Sequence, residues 1–159
     1  MTIDTETATL TGGVYDLAFV IHNKKGQIVE RFNAVVRETA TDADKMMGAF
    51  YARKMFTHYL STLADQSTPL LHWSAIVDAI QSAIARHNVT VVAAYNLAFD
   101  RRVIRATHRQ LGFKGAIVPE GVAQLDIWEY ACRARLVLKK YRTLPHSLGR
   151  VSDPGNIKT

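Results

Sequence analysis

The sequence predicts an α/β domain built around a mixed β-sheet, and three observations lead to this prediction. Residues 14–21 and 28–36 have strand-like apolar patterns on either side of a turn at residues 22–26, which predicts a β-hairpin. Two stretches with helical spacing follow, and residues 89–94 form a short, mainly apolar run that is typical of a buried strand. Strands and helices in this order indicate a mixed sheet flanked by helices.

The other elements follow from apolar spacing and from turn residues. Ile3 leads into Asp4 and Glu6, which end a short first strand, and Gly12 and Gly13 mark a turn before the hairpin. The predicted helices cover residues 44–63, 73–84, 96–111 and 125–138. We expect one domain over residues 1–138 and an irregular C-terminal tail over residues 139–159, which contain two prolines and two glycines.

Composition limits the classes of protein to which the chain can belong. Its 159 residues are 48% hydrophobic and 21% charged, which is ordinary for a globular domain. No apolar run reaches membrane-spanning length, and the N-terminus lacks the pattern of a signal peptide. Cys132 is the only cysteine, so an intramolecular disulfide is excluded. We therefore expect a cytoplasmic protein without a membrane partner.

The charge distribution favours a polyanionic partner. The net charge is +6, and a basic surface attracts nucleic acid through counterion release. Residues 101–109 form one basic run, from which Arg101, Arg105 and Arg109 are candidate nucleic-acid contacts. For His108 within this run, a solvated helix face is the alternative interpretation. A few acids within basic surroundings is the composition that a metal-dependent phosphodiesterase needs.

The tripeptide Asp4-Thr5-Glu6 is the first candidate for chemistry. Side chains in a strand alternate between faces, so both carboxylates lie on one face if the strand continues to Glu6. Two acids on one face of a central strand repel each other unless a cation neutralises them. The alternative is that both acids lie beyond the strand end and are solvated.

Asp100 is the third candidate, because it follows the predicted buried strand at the start of a helix. On its own, an aspartate there interacts favourably with the helix dipole, which is the alternative interpretation. Together with Asp4 and Glu6, it could hold a pair of Mg²⁺ or Mn²⁺ ions, which prefer carboxylate oxygens. The sequence contains no His and Cys cluster with the spacing of a zinc site.

The ordered set of these motifs resembles the DnaQ-like (DEDD) 3′–5′ exonucleases. The set consists of Asp4-Thr5-Glu6-Thr7, a hairpin, Asn96-x-x-Phe99-Asp100 and then residues 124–128. The resemblance implies an RNase H-like fold, metal binding and catalysis by Asp4, Glu6 and Asp100, and a supporting role for Asp126. It also implies that Thr5, Thr7, Asn96 and Phe99 bind the 3′ end of a substrate strand. The segment with residues 50–52 and Trp73 is similar to bacteriophage-encoded members.

The third motif of that family departs from its pattern here. Four residues should separate a histidine from an aspartate, but six separate His146 from Asp153. The tyrosine form of the motif is not met either, because neither Tyr130 nor Tyr141 is followed by an aspartate at the required spacing. We therefore expect a truncated chain that lacks the C-terminal helix and the general base.

Three hypotheses remain open from the sequence. The first is a two-metal 3′–5′ exonuclease that acts on single-stranded DNA or RNA, with this chain weakly active or inactive. The second is a non-catalytic module that binds a nucleic-acid end or a polymerase. The third is a generic α/β domain in which the acids have no joint role.

Overall fold

The described part of the chain forms one six-stranded sheet. A computed structural model describes residues 1–137. Its strands are β1 (Thr2–Thr9), β2 (Gly12–His22), β3 (Ile28–Val36), β4 (Leu70–Leu71), β5 (Val91–Ala94) and β6 (Ala123–Asp126). The predicted tail at residues 139–159, with Tyr141, His146 and Asp153, lies outside the described residues.

The sheet has the strand order β4-β3-β2-β1-β5-β6. β2 pairs with β1 and β3 in antiparallel fashion, whereas β3 and β4, β1 and β5, and β5 and β6 are parallel pairs. Only β2 therefore runs against the other five strands. A leading antiparallel meander followed by parallel strands on the side of β1 is the RNase H-like arrangement, so the predicted mixed α/β fold is confirmed.

Helices cover both faces of the sheet. They are α1 (Arg37–Ala40), α2 (Ala43–Gly48), α3 (Phe50–Lys54), α4 (Phe56–Ala64), α5 (Trp73–Arg86), α6 (Leu97–Gln110) and α7 (Ile127–Val137). The main core joins α5 and α6 to one face, where Leu17, Trp73 and Val103 are fully buried. Apolar burial of this kind contributes about 25 cal/mol per Å², so this face carries most of the stabilisation.

A second, smaller core lies on the opposite face. Ala8 and Tyr15 contact Ala49 and Ala52 there, and Tyr59 of α4 packs against them. Alternation along β1 places Ala8 on the same side as Asp4 and Glu6, whereas Ile3 and Thr5 face the main core. The short helices α2–α4 therefore cover the face that carries the first two acids.

Three sequence predictions need correction. β1 extends to Thr9, so Asp4 and Glu6 lie within the strand and not at its end. The helix predicted at residues 44–63 is three short helices, because the backbone at Ala49 is extended (φ −74°, ψ 99°) and a further break occurs at Met55. The helix predicted from residue 125 begins at Ile127, since residues 123–126 pair with β5 as strand β6.

Among residues 1–137, no helix combines the length and the apolar character that a bilayer crossing requires.

Candidate metal centre

Three carboxylates share one face of the sheet. Asp4 and Glu6 are two residues apart on β1, and Glu6 lies directly opposite Asp16 on β2. Opposite residues of an antiparallel pair have Cβ atoms about 4.5–5.5 Å apart and project to the same side. Asp16 therefore joins the predicted pair, although sequence reasoning did not select it as a site residue.

A β-bulge accounts for this register. The pairing shifts between Glu6 and Thr7, so that Tyr15 is an extra residue of β2 between Val14 and Asp16. Bulges of this kind re-aim neighbouring side chains. Here the bulge buries the Tyr15 ring in the smaller core and leaves Asp16 beside Glu6.

Asp100 approaches β1 from α6, on the main-core side to which Thr5 points, whereas Asp4 and Glu6 point to the other side. Asp100 lies in the first turn of that helix and is only 3% exposed, and its Oδ1 accepts a 2.8 Å hydrogen bond from Oγ1 of Thr5. Thr5 stands between Asp4 and Glu6 in the sequence, so this bond fixes the second motif to the first. The side chain of Thr5, which was expected to bind substrate, is buried and donates to Asp100.

The carboxylates raise one another's pKa values. Burial, together with the charges of Asp4, Asp16 and Asp100, raises the pKa of Glu6 to about 7. The pKa of Asp100 is raised to about 6: burial is the main cause, the hydrogen bond from Thr5 acts against it, and the charge of Asp4 adds to it. Like charges that are held close in a poorly solvated place disfavour each other's ionisation.

The two remaining acids follow the same trend. Asp4 is the most exposed of the four, and partial desolvation of its carboxyl raises its pKa above the ordinary range. Desolvation raises the pKa of Asp16 as well, while a hydrogen bond from Tyr59 lowers it. The four groups thus form one electrostatically coupled carboxylate cluster, which we define as Asp4, Glu6, Asp16 and Asp100.

Tyr59 is a second residue that sequence reasoning missed as part of this region. Its Oη donates a 2.6 Å hydrogen bond to Oδ2 of Asp16, and its ring packs edge-on against Tyr15 at 5.8 Å. Burial and the neighbouring Asp16 raise the pKa of the Tyr59 hydroxyl far above its usual value. The hydroxyl therefore stays protonated and acts as a donor.

The donor chemistry of the cluster suits a hard divalent cation, since all of its candidate ligand atoms are carboxylate oxygens. Within the described residues, no three Asp, Glu, His or Cys side chains are already arranged tightly enough to hold one ion. The four acids are close enough to raise one another's pKa values, but their carboxylates do not surround a common position for an ion. In chemical character the residues fit Mg²⁺ or Mn²⁺.

The predicted supporting aspartate joins two segments near the cluster. Oδ1 of Asp126 accepts hydrogen bonds from the backbone N–H groups of Trp128 and Glu129, at 2.9 and 3.3 Å, which caps α7. It also accepts one from the backbone N–H of Asn96 at 3.2 Å. Asn96 has a left-handed backbone (φ 64°), a conformation that asparagine tolerates better than most residues. Asp126 thereby fixes the turn that leads into α6.

The other residues expected at a substrate end are dispersed around this turn. Asn96 is exposed, and Phe99 is half-buried beneath the guanidinium of Arg102, which lies 5.4 Å from the ring centroid. Thr7 is half-buried at the bulge, opposite Val14. Arg101, Arg105 and Arg109 are all exposed on α6.

No protein-family model matches the chain, and no curated protein matches it. A solved structure of exonuclease X in complex with 5′-overhanging duplex DNA matches with 23% sequence identity, over 87% of this chain and 88% of that chain, and with a TM-score of 0.35. The fold assignment made above depends on the strand order and directions of the sheet.

Proposed function

We propose that the chain is a metal-dependent 3′–5′ exonuclease domain of the DnaQ-like type. The observation that carries the proposal is the placement of its acids. Asp4 and Glu6 share one face of β1. Asp100 on α6 is hydrogen-bonded to Thr5, which points to the other face, and lies near enough that its charge acts on Glu6 and the charge of Asp4 acts on it. The raised pKa values of these acids are what a cation site without its cation is expected to have.

In this proposal Asp4, Glu6 and Asp100 hold two divalent cations, Mg²⁺ or Mn²⁺. Bound cations would supply an activated water and charge stabilisation for the leaving 3′ oxygen. Thr5 keeps Asp100 oriented, and Asp126 holds the turn at Asn96 through its backbone N–H. Asn96, Phe99 and Thr7 would contact the terminal nucleotide, and Arg101, Arg105 and Arg109 would contact phosphates of single-stranded DNA or RNA.

One observation favours a second candidate function, a module that binds a nucleic-acid end or a polymerase without cutting. The cluster is not closed around an ion within the described residues, and no family-type pair of histidine and aspartate lies among them. A domain of this kind would keep the basic surface and the fold but would lack turnover.

The test is a nuclease assay with Mn²⁺ on single strands that carry a 5′ label. The proposal predicts a ladder that shortens from the 3′ end and stops when that end is blocked by a terminal phosphorothioate. Asp4→Asn and Glu6→Gln should abolish the ladder because each removes a ligand charge. Asp78→Asn, which removes an exposed acid from α5, is the matched control and should retain activity.

Binding of the same strands with no ladder from pure protein would favour the non-catalytic module. Hydrolysis that starts within the strand, or that survives Asp4→Asn, would contradict the exonuclease proposal.

A further inference from the structure

A groove of about 730 Å³ lies beside α6 and the loop residues 113–118 that follow this helix. Its volume is within the range of about 300–1,000 Å³ that is typical of ligand clefts. None of the four carboxylates of the candidate metal centre lines it. The groove is therefore a separate feature, and its lining indicates which ligand fits it.

The floor of the groove is aliphatic. Its main aliphatic side chains are Ile3, Ile80, Leu97, Ile104, Ile117 and Val118. The first five belong to the main core, whereas Val118 is half-buried beside that core and Phe113 is 36% exposed at the groove. The face of Phe113 is stacked on His108, with ring centroids 5.3 Å apart. This lining can take up aliphatic side chains, but within the described residues it lacks the row of open aromatic faces on which the bases of a single strand stack.

Cations form the rim of the groove. Arg101, Arg105 and Arg109 follow one another at intervals of four residues along α6, and Lys114 lies in the loop. All four residues are exposed, and among residues 1–137 none of them forms an ion pair with a carboxylate. No acidic residue lines the groove in the described part of the chain. An anionic ligand would therefore meet four cations that no carboxylate neutralises.

We propose that the groove binds an extended segment of a partner protein in which acidic and apolar side chains alternate. Four residues of helix rise about 6 Å, and every second residue of an extended chain lies about 6.6 Å further along. A segment that runs along α6 would thus bring each acid to an arginine and turn the intervening apolar side chains to the floor. The inference goes beyond the proposed function, which assigns phosphates to the same arginines and leaves the apolar floor unused.

Charge argues against an occupant from this chain itself. Residues 139–159 contain a single acid, Asp153, against five basic residues, namely Lys139, Lys140, Arg142, Arg150 and Lys158. A second copy of the chain carries the same net charge of +6. Like charges across an interface oppose docking, whereas an acidic segment of another protein is complementary to the four cations.

Fluorescence anisotropy in EDTA tests the proposal with two labelled peptides. One alternates aspartate and leucine, and the other alternates aspartate and serine, so that both carry the same charge. The leucine peptide should bind at least about tenfold more tightly, because each leucine side chain that leaves water contributes about tenfold or more in affinity. This comparison uses the unaltered protein, so no loss of folding can imitate its result.

A variant of the apolar lining separates the peptide from a nucleic-acid strand. Val118→Ser should weaken binding of the leucine peptide about threefold to tenfold, because it removes apolar surface from the groove. The same variant should leave binding of a labelled oligothymidine unchanged. Val29→Ser, at an exposed valine of β3, is the matched control and should change neither affinity.

A variant of the rim tests the contribution of the arginines. Arg105→Ala/Arg109→Ala should weaken the leucine peptide by about threefold to tenfold, since each exposed ion pair contributes less than tenfold. Lys24→Ala/Lys25→Ala removes the same charge from the exposed hairpin turn and should have much less effect.

Equal binding of the two peptides would overturn the proposal, because charge alone would then explain the affinity. Equal losses in the arginine and lysine variants would overturn it as well, since net charge and not the groove would then attract the peptide. Oligothymidine binding that falls in Val118→Ser as much as peptide binding does would assign the groove to nucleic acid instead. Since EDTA prevents hydrolysis, peptide binding as expected together with no ladder from the 3′ end would refute only the exonuclease proposal.

Discussion

Oγ1 of Thr5 lies 2.8 Å from Oδ1 of Asp100, which joins the middle of β1 to the first turn of α6 across 95 positions of sequence. Both residues are buried, so the bond forms where water does not compete for either group. Its loss would leave a buried carboxylate oxygen without this donor, which costs about 1–3 kcal/mol when no other group compensates.

Thr5→Val should therefore lower the free energy of unfolding by about 1–3 kcal/mol at pH 8, where Asp100 is ionised. The pKa of Asp100, about 6 in the native chain, should rise further because the Thr5 hydrogen bond lowers it. Urea unfolding at pH 8 and carboxyl titration by NMR measure the two effects. Thr2→Val, at the start of the same strand, is the control and should change neither quantity appreciably. An unchanged Asp100 titration in Thr5→Val would show that the bond is absent in solution.

The carboxylate cluster should make the metal-free protein less stable as pH rises. The pKa of Glu6 is about 7 in the folded chain against 4.5 ordinarily, so between these values the folded state binds more protons than the unfolded state. The free energy of unfolding then falls with increasing pH across this window. Asp4, Asp16 and Asp100 also have raised pKa values and act in the same direction.

Urea titrations in EDTA at pH 5 and pH 7.5 measure this slope, and Glu6→Gln should flatten it. Glu30, Asp42 and Asp65 have lowered pKa values, so their opposite effect falls below pH 4.5 and does not mask the result. A wild-type slope of the opposite sign, or one that Glu6→Gln leaves intact, would contradict the electrostatic account of the cluster.

Mg²⁺ or Mn²⁺ should raise the melting temperature, because a ligand of the folded state alone stabilises it by mass action. At 100 times the dissociation constant the gain is about 2.7 kcal/mol, which is about 5–10 °C for a domain of this size. Asp4→Asn should abolish this gain and leave the metal-free melting temperature equal or slightly higher, since it relieves repulsion. Asp78→Asn should respond as the wild type does. A full metal response in Asp4→Asn would remove Asp4 from the site.

Sequence periodicity accounts for part of the candidate site. The period of two in a strand places Asp4 and Glu6 on one face, and the strand β1 continues past both. Periodicity does not identify Asp16. The residue that lies opposite Asp16 on β1 depends on the pairing register, which the bulge at Tyr15 shifts by one residue. The available signal was an aspartate within the otherwise apolar stretch at residues 14–21.

Two errors in the predicted elements have physical causes as well. Apolar spacing continues through Ala49, so the pattern at residues 44–63 predicts one unbroken helix. In the structure the backbone is extended at Ala49, and Ala49 and Ala52 are buried against Ala8 and Tyr15. β6 is exposed at three of its four residues, and a strand without a buried face has no alternating pattern to detect. Only its pairing with β5 defines it.

The hydrogen bond from Tyr59 to Asp16 should fix α4 to the sheet beside the carboxylate cluster. Tyr59→Phe keeps the ring contact with Tyr15 but removes the 2.6 Å bond, so the pKa of Asp16 should rise, since this bond lowers it in the native chain. A hydrogen bond to a charged acceptor contributes about 1.5–3 kcal/mol, and this amount should be lost locally. Hydrogen exchange of the α4 amides (Phe56–Ala64) should therefore become faster, while exchange in α5 stays unchanged.

Tyr51→Phe is the matched control, because Tyr51 is 50% exposed on the neighbouring helix and loses the same hydroxyl. Asp16→Asn should accelerate exchange in α4 less than Tyr59→Phe, because the amide oxygen still accepts from the phenol, and it should lower the pKa of Glu6 by removing a like charge. The combined variant should exchange no faster than Tyr59→Phe alone, since both changes act on one bond. Additive acceleration in the combined variant would show that Tyr59 stabilises α4 by a route other than Asp16.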